Sequence, residues 1–174
     1  MDETKSSLFK SSMMSGLLLG IALVVISLIV YFIDLTGNKY ISYLTMILMG
    51  AGVFYLQIQY RDKELHGKMT YGQAFGFAIL VVLAAAVISS IFTFILTKFI
   101  DPGIIDKILS MQEDTLTKKG LTSEQIDMAM TMTKRMMTPV WMVIWGLVGM
   151  MFWGTILSLI TSAFTKKEST PFSE

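Results

Sequence analysis

Four long stretches without a single charged side chain constrain this chain more than any other feature of its sequence. They cover residues 11–33, 40–60, 69–97 and 136–165 and contain 23, 21, 29 and 30 residues. A helix of about 20 apolar residues, rising 1.5 Å per residue, crosses the roughly 30 Å hydrocarbon layer of a membrane. A soluble fold would instead distribute charges along each amphipathic element. The sequence therefore predicts an all-α membrane protein with four transmembrane helices.

The connections between these stretches predict how the helices pair. Only the six residues from Asp34 to Lys39 separate spans one and two, so we expect a tight antiparallel hairpin. Longer polar connections follow spans two and three. We place an N-terminal tail at 1–12, a transmembrane domain at 13–165 with spans at about 13–33, 40–58, 73–96 and 140–164, a helical hairpin outside the membrane at about 102–138, and a C-terminal tail at 166–174.

The connection between spans three and four has a helical periodicity of its own. Apolar residues recur every three or four positions over 104–116 and again over 126–137, opposite charged residues. Gly120 is typical of a helix C-terminus, and Thr122 followed by Gln125 has the pattern of a capping box. We therefore predict an amphipathic helical hairpin that lies on the membrane interface or caps the transmembrane helices.

Lysine and arginine counts in the short segments predict the orientation of the chain. The N-terminal tail has two, the second connection three and the C-terminal tail two, whereas the first hairpin has only Lys39. Because cytoplasmic segments are enriched in these residues, we expect both termini in the cytoplasm. The third connection carries six more, which makes the two sides equal at seven when it is counted.

Small residues at four-residue spacing are candidate helix-packing positions. Lipid is as apolar as leucine, so membrane helices associate closely where small residues let their backbones approach. These ridges could pack the helices of one four-helix bundle or form the face of a homodimer. The candidates are Gly16 and Gly20 in span one, Gly72 and Gly76 at the start of span three, and Gly154, Ser158 and Ser162 in span four.

Polar side chains within the spans are few and uncharged. Ionisable groups inside a membrane usually mark ion or proton pathways, and none lies in the middle of a span here. This argues against a proton- or sodium-coupled transporter. Gln57, Gln59 and Gln73 lie at span ends, where we expect water to be near.

Reactive and metal-binding patterns are equally scarce. The chain has no cysteine, which excludes thiolate sites. Its single histidine, His66, has no second histidine or thiol beside it for a familiar metal site, and we interpret it as a solvated loop residue rather than as part of a hydrolase triad. Asp62 and Glu64 could hold a divalent cation at a phospholipid headgroup, but charges that alternate with lysine and arginine more often form a solvated surface. We predict no catalytic residue and no cofactor.

Three methionines form the one candidate face for a soft metal. On a helix, Met128, Met132 and Met136 fall at i, i+4 and i+8, which would let their sulfurs face a Cu(I) ion. The simpler interpretation is that flexible methionines fill an irregular contact. The 15 methionines are spread over the whole chain, which favours that interpretation.

Two connecting segments resemble a known family. The segment 59–77, QYRDKELHGKMTYGQAFGF, resembles the junction between spans two and three of the bacterial membrane family called domain of unknown function 4199. The segment 99–130, FIDPGIIDKILSMQEDTLTKKGLTSEQIDMAM, is similar to that family's third connection. The resemblance covers about residues 8–166 and implies a small protein of the bacterial inner membrane, without an assigned activity. No functional residue carries over from it.

The leading functional hypothesis is a non-enzymatic interaction or accessory subunit of the membrane. Its partners would be membrane lipids and either a second copy or a membrane complex, contacted through Tyr60–Phe75 and Ile104–Met137. A net charge of +1 without a clustered basic face argues against nucleic acid. The alternatives are an oligomeric channel or small-solute transporter lined by Ser89, Ser90 and Thr93, and a lipid-modifying enzyme that uses Asp62 and Glu64 or Asp101.

Overall fold

The computed structural model describes the backbone of residues 2–167 and the side chains of residues 7–167. The part of the predicted C-terminal tail from position 168 onward, and residue 1 of the predicted N-terminal tail, lie outside the described residues. No β-strand occurs within 2–167, although Met69 and Lys167 form an isolated antiparallel bridge. The elements are α1 (Asp2–Phe32), α2 (Lys39–Glu64), α3 (Tyr71–Ile95), a π-helical turn (Leu96–Ile100), α4 (Ile104–Lys118), α5 (Ser123–Met136) and α6 (Pro139–Thr165).

Four of the helical segments are long and apolar enough to cross a membrane. Only 11–33% of the most apolar part of each is buried inside the protein, so most of its apolar surface needs a medium other than water. This confirms the predicted fold class, an all-α protein with four membrane-spanning helices. The segments are Ser7–Phe32, Lys39–Glu64, Tyr71–Ile100 and Pro139–Thr165.

Helix α1 extends well before the predicted start of the first span. It begins at Asp2, so most of the predicted N-terminal tail is helical. Polar side chains are disfavoured in lipid, so they mark the end of a membrane span. They do not end the helix, because its backbone hydrogen bonds can continue in water. The extension is tied to α2, since Ser7 Oγ donates to Glu64 Oε2 at 3.3 Å and Ser11 Oγ donates to Glu64 Oε1.

The chain divides into two compact units. The first contains α1, α2, α3 through Ser89, and α6 from Val148 onward; the second is Ser90–Leu147. In the first unit α3 is the central helix, and small or β-branched side chains let its neighbours approach. The Tyr60 and Phe77 rings stack between α2 and α3, with centroids 4.2 Å apart. The α3 residues with no exposed surface are Ala74, Ala78, Val81, Val82, Ala85 and Ala86.

In the second unit, α4 and α5 pack against each other. The turn between them follows the sequence pattern. Gly120 has a φ of +76°, the left-handed conformation that ends α4. Gln125 N donates to Thr122 Oγ1 at 3.4 Å and Thr122 N donates to Gln125 Oε1 at 3.0 Å, which confirms the predicted capping box.

A π-helical turn at Leu96–Ile100 follows α3, and the sequence did not indicate it. Asp101 N donates to Leu96 O at 2.8 Å, the five-residue spacing of a π-helix. Thr97 Oγ1 also donates to Thr93 O at 2.8 Å. The next residue is Pro102, which disfavours helical backbone at Asp101, where φ is −141°. The third membrane segment therefore ends at this turn.

Candidate functional site

A buried glutamine lies where α2, α3 and α6 meet in the first unit. Gln57 has no exposed surface, and its Nε2 donates to Ala74 O at 3.1 Å and to Ser162 Oγ at 2.8 Å. The expectation that water is near Gln57 is therefore wrong. Position along a helix indicates depth in the membrane, but tertiary packing decides which face of the helix is covered. We call this contact, together with Arg61, Ser158 and Thr165, the polar junction.

Arg61 extends the polar junction to the end of α6. Its Nη1 donates to Thr165 O at 3.2 Å, a carbonyl in the last turn of α6, while its Nε pairs with Asp62 Oδ1 at 2.7 Å. A cation placed there stabilises the negative end of the helix dipole. Two backbone bonds follow, because Met69 N donates to Lys167 O at 2.9 Å and Lys167 N to Met69 O at 2.8 Å. The connection between α2 and α3 is thus fastened to the end of α6.

Some polar atoms of the junction have no partner among the described residues. They are Gln57 Oε1, Ser158 Oγ and Thr165 Oγ1, and all three residues are fully buried. A buried acceptor without a hydrogen bond costs about 1–3 kcal/mol. The junction therefore contributes less to stability than its two glutamine bonds suggest.

The carboxylates considered as a cation site have other partners. Asp62 pairs with Arg61, and Glu64 accepts hydrogen bonds from Ser7 and Ser11. Within the described part of the chain, no group of three or more His, Cys, Asp and Glu residues could hold a metal ion. His66 is exposed and adopts a positive φ of 51° in the connection after α2, where it forms part of a turn.

Among the glycines predicted to pack helices together, those of α1 lie at close contacts and those of α3 do not. A Cβ on Gly16 would lie 2.5 Å from Ala84 Cβ, and one on Gly20 would lie 2.9 Å from Ile88 Cβ, so α1 approaches α3 closely at both. Gly72 and Gly76 have open space where a Cβ would be, with no neighbouring atom within 4 Å.

The small residues of α6 lie on a buried face. A Cβ on Gly154 would overlap Val82 Cγ1 of α3. Ser158 and Ser162, one and two turns further along, have no exposed surface. Ser162 Oγ bonds back to Ser158 O at 2.5 Å, and it also accepts the bond from Gln57. These three residues let α6 approach α3 and α2.

Two close-contact glycines of α2 were missed from the sequence. A Cβ on Gly50 would lie 3.2 Å from Leu157 Cδ2 of α6, and one on Gly52 would lie 2.6 Å from Leu19 Cδ1 of α1. Residues two apart on a helix point about 200° away from each other, so each glycine serves a different neighbour. The signal was the Gly50-Ala51-Gly52 sequence itself, which does not match the four-residue spacing used to find packing ridges.

The methionines proposed as a soft-metal face lie on the open side of α5. Met128 is 67% exposed, Met132 64% and Met136 45%, whereas Met130 is buried, at 5% exposed. We call the first three residues the methionine face. Their spacing places them on one side of the helix, as the sequence indicated. They form an apolar row of which about half to two thirds is exposed.

A cavity of about 440 Å³ lies among the helices of the first unit. It is mostly lined by apolar side chains, with hydroxyl groups of α1 and α2 at its wall. No local sequence pattern indicated it, because its wall comes from all four helices. The apolar part of the lining includes Leu23, Met46, Met49, Met150 and Trp153.

One family model matches nearly the whole described chain. Its description is "Protein of unknown function (DUF4199)", and it matches residues 14–167. No curated protein and no solved structure matches the chain. The family match includes the polar junction and the α4–α5 hairpin, and it confirms the resemblance seen in the connecting segments. The chain therefore belongs to the DUF4199 family of proteins of unknown function.

Proposed function

We propose that this protein is a non-enzymatic subunit of a membrane complex and that it binds another protein through the methionine face of α5. The observation that carries the proposal is the exposure of Met128, Met132 and Met136, at 67%, 64% and 45%, as an apolar row that Glu124 and Arg135 border on the exposed side of α5. Methionine is flexible and polarisable, so it suits contact surfaces that adapt to a partner. The face lies within the Ile104–Met137 segment favoured by the sequence.

The methionine face is large enough to matter energetically. Burial of one methionine side chain contributes roughly 1.5–3 kcal/mol. Scaled by their exposed fractions, the three side chains could contribute about 3–5 kcal/mol if a partner covered them, before the entropy cost of association. That range supports an assembly held by this face together with other contacts, rather than by this face alone.

The charges of α5 favour a protein partner over a lipid surface. Helices that lie on membranes usually carry a lysine- and arginine-rich polar face and aromatic or leucine side chains on the other. Here Glu124 and Asp127 balance Lys134 and Arg135, and the exposed apolar row is methionine. Such a neutral helix gains little from anionic headgroups.

The two alternative functions have weaker support. Several hydroxyls of the spans bond to their own helix: Thr45 Oγ1 donates to Ile41 O at 2.9 Å and Thr155 Oγ1 to Met151 O at 2.7 Å. Hydroxyls bonded in this way are poor lining for a conducting pathway. Asp62, offered for lipid chemistry, is paired with Arg61.

We also propose that the protein lies in the bacterial inner membrane with both termini in the cytoplasm. Lys68, Lys166 and Lys167 come together at the bridge between Met69 and Lys167, whereas the turn between α1 and α2 has Lys39 alone. The enrichment of basic residues in cytoplasmic segments supports this orientation.

Photo-crosslinking in the membranes of the protein's own host tests the proposed contact. A benzophenone amino acid replaces Met132 on the methionine face or, as the matched control, the exposed Thr131 on the polar side of the same helix. We expect position 132, and not 131, to give one discrete adduct between this 19.5 kDa chain and a different protein. An adduct of two copies, or of lipid alone, contradicts the accessory role.

A further inference from the structure

The cavity of the first unit lies inside the membrane-spanning helices, near the turn between α1 and α2. Its wall runs along α2 from Ser42, close to the start of that helix at Lys39, to Met49. At 1.5 Å per residue, this is a depth of about 10 Å. On α1 it reaches from Ser27 to Leu23, inward from the helix end at Phe32. The cavity therefore extends from the membrane surface toward the membrane interior.

The chemistry of the wall suits an apolar ligand. The apolar side chains are mostly methionine, which adapts its shape to what it contacts. Two hydroxyls of α2 donate to their own segment of chain, because Thr45 Oγ1 donates to Ile41 O at 2.9 Å and Ser42 Oγ to Asn38 O at 3.4 Å. Most of the exposed surface of the wall is apolar, so a water molecule, which needs two to four polar partners, is held less well there than a hydrocarbon. An empty space would forfeit dispersion contacts on every side.

We propose that this cavity binds one hydrocarbon chain of an anionic membrane phospholipid. Its volume of about 440 Å³ lies within the roughly 300–1,000 Å³ of ordinary small-molecule sites. Ser27, Tyr43 and Trp153 line it and are themselves exposed, so a chain can enter sideways from the surrounding lipid.

The outer end of the cavity matches the charge of a phospholipid headgroup. Lys39 lies three residues before Ser42, which places it on the same face of α2 one turn nearer the membrane surface. The positive end of the α2 dipole lies at the same place. A chain that fills the cavity would therefore put its phosphate beside an exposed ammonium group and a helix N-terminus.

Two glycines of α6 give a matched test of the chain-binding part. Gly149 lines the cavity and Gly146 does not, and a Cβ at either position meets no atom within 4 Å. A phenylalanine at 149 fills the cavity, whereas one at 146 should only add surface. The purified protein is reconstituted with phosphatidylglycerol, extracted in mild detergent and analysed by native mass spectrometry. Thermal melting of both variants checks that each one folds.

We expect one retained phosphatidylglycerol per chain in the natural protein and in Gly146→Phe, and at least a five-fold lower retained fraction in folded Gly149→Phe. Equal retention in both variants, or no retained lipid in the natural protein, overturns the proposal. A retained free fatty acid or detergent molecule in place of the phospholipid also overturns it.

A charge reversal tests the headgroup part. Lys39→Glu should lower the retained phosphatidylglycerol at least three-fold, because it places a carboxylate beside the phosphate. Lys68→Glu is the control, since this exposed lysine lies in the connection between α2 and α3, far along the chain from the cavity. A loss of equal size in both variants would overturn the assignment of Lys39 to the headgroup.

Discussion

At the scale of single residues, Gln57 is the polar group whose burial is hardest to explain by stability. Its two hydrogen bonds join three helices. Hydrogen bonds between membrane helices contribute about 0.6 kcal/mol each on average. Its unpartnered Oε1 costs about 1–3 kcal/mol. These amounts nearly cancel, so the glutamine fixes how α2, α3 and α6 are aligned more than it stabilises the fold.

Substitution of Gln57 separates alignment from stability. Gln57→Met keeps the volume and removes the unpartnered acceptor, so we expect a melting temperature in detergent equal to or above that of the natural protein. Gln57→Glu replaces the donor by a second acceptor facing Ala74 O, and we expect a loss of at least about 3 kcal/mol. Thermal unfolding of both variants checks this. A loss in Gln57→Met as large as that in Gln57→Glu contradicts it.

The sequence predicted local patterns such as helix caps, but it did not predict which polar side chains are buried. The capping box of Thr122 and Gln125 depends on residues three positions apart, so the sequence contains all of its chemistry. The same holds for Gly120 at the end of α4. Gln57 depends on Ser162, which is 105 positions away. The sequence of a single helix contains no information that these two side chains are in contact.

At the scale of helices, close packing in the first unit depends on where α3 meets its neighbours. A Cβ on Gly16 would lie 2.6 Å from the carbonyl oxygen of Val81, a backbone atom that cannot rotate away. A Cβ on Gly76 would have no neighbouring atom within 4 Å. The two glycines therefore differ in role, although their sequence spacing looks alike.

Alanine substitutions should have opposite effects at these two glycines. We expect Gly16→Ala to destabilise the protein by about 1–3 kcal/mol, because the added methyl group forces α1 and α3 apart. Gly76→Ala should stabilise it by about 0.5–1 kcal/mol, since alanine restricts the unfolded chain and favours helix. Denaturation of the purified variants in detergent measures both. Two changes of the same sign would contradict this account of helix packing.

The helices themselves were more predictable than their ends and contacts. Lack of charge located all four membrane spans, because lipid excludes charge whatever the tertiary structure. The start of α1 at Asp2 was missed because polar residues can continue a helix. The π-helical turn at Leu96–Ile100 was missed because one extra residue in a helical turn produces no recognisable sequence pattern. The cavity and the Gly50 and Gly52 contacts were missed because they need several helices at once.

At the scale of the whole molecule, the proposed orientation follows from charge. The chain has no cysteine, so single cysteines report on each side of the membrane. We expect a membrane-impermeant maleimide to label Thr36→Cys, in the turn between α1 and α2, in intact spheroplasts. Thr70→Cys, before α3, should be labelled only after the membrane is permeabilised. The reverse pattern would place both termini outside the cytoplasm.

The proposed role as a subunit of a membrane complex is tested most directly by the mass of the particle extracted from native membranes. In mild detergent, native mass spectrometry should find this 19.5 kDa chain in a stoichiometric complex with a different protein. Met132→Lys should release it, because the substitution removes roughly 2 kcal/mol of apolar contact, or about thirty-fold in affinity, and buries a charge. Thr131→Lys should leave the complex intact. A natural protein found only as a monomer with bound lipid, or only as copies of itself, would contradict the account.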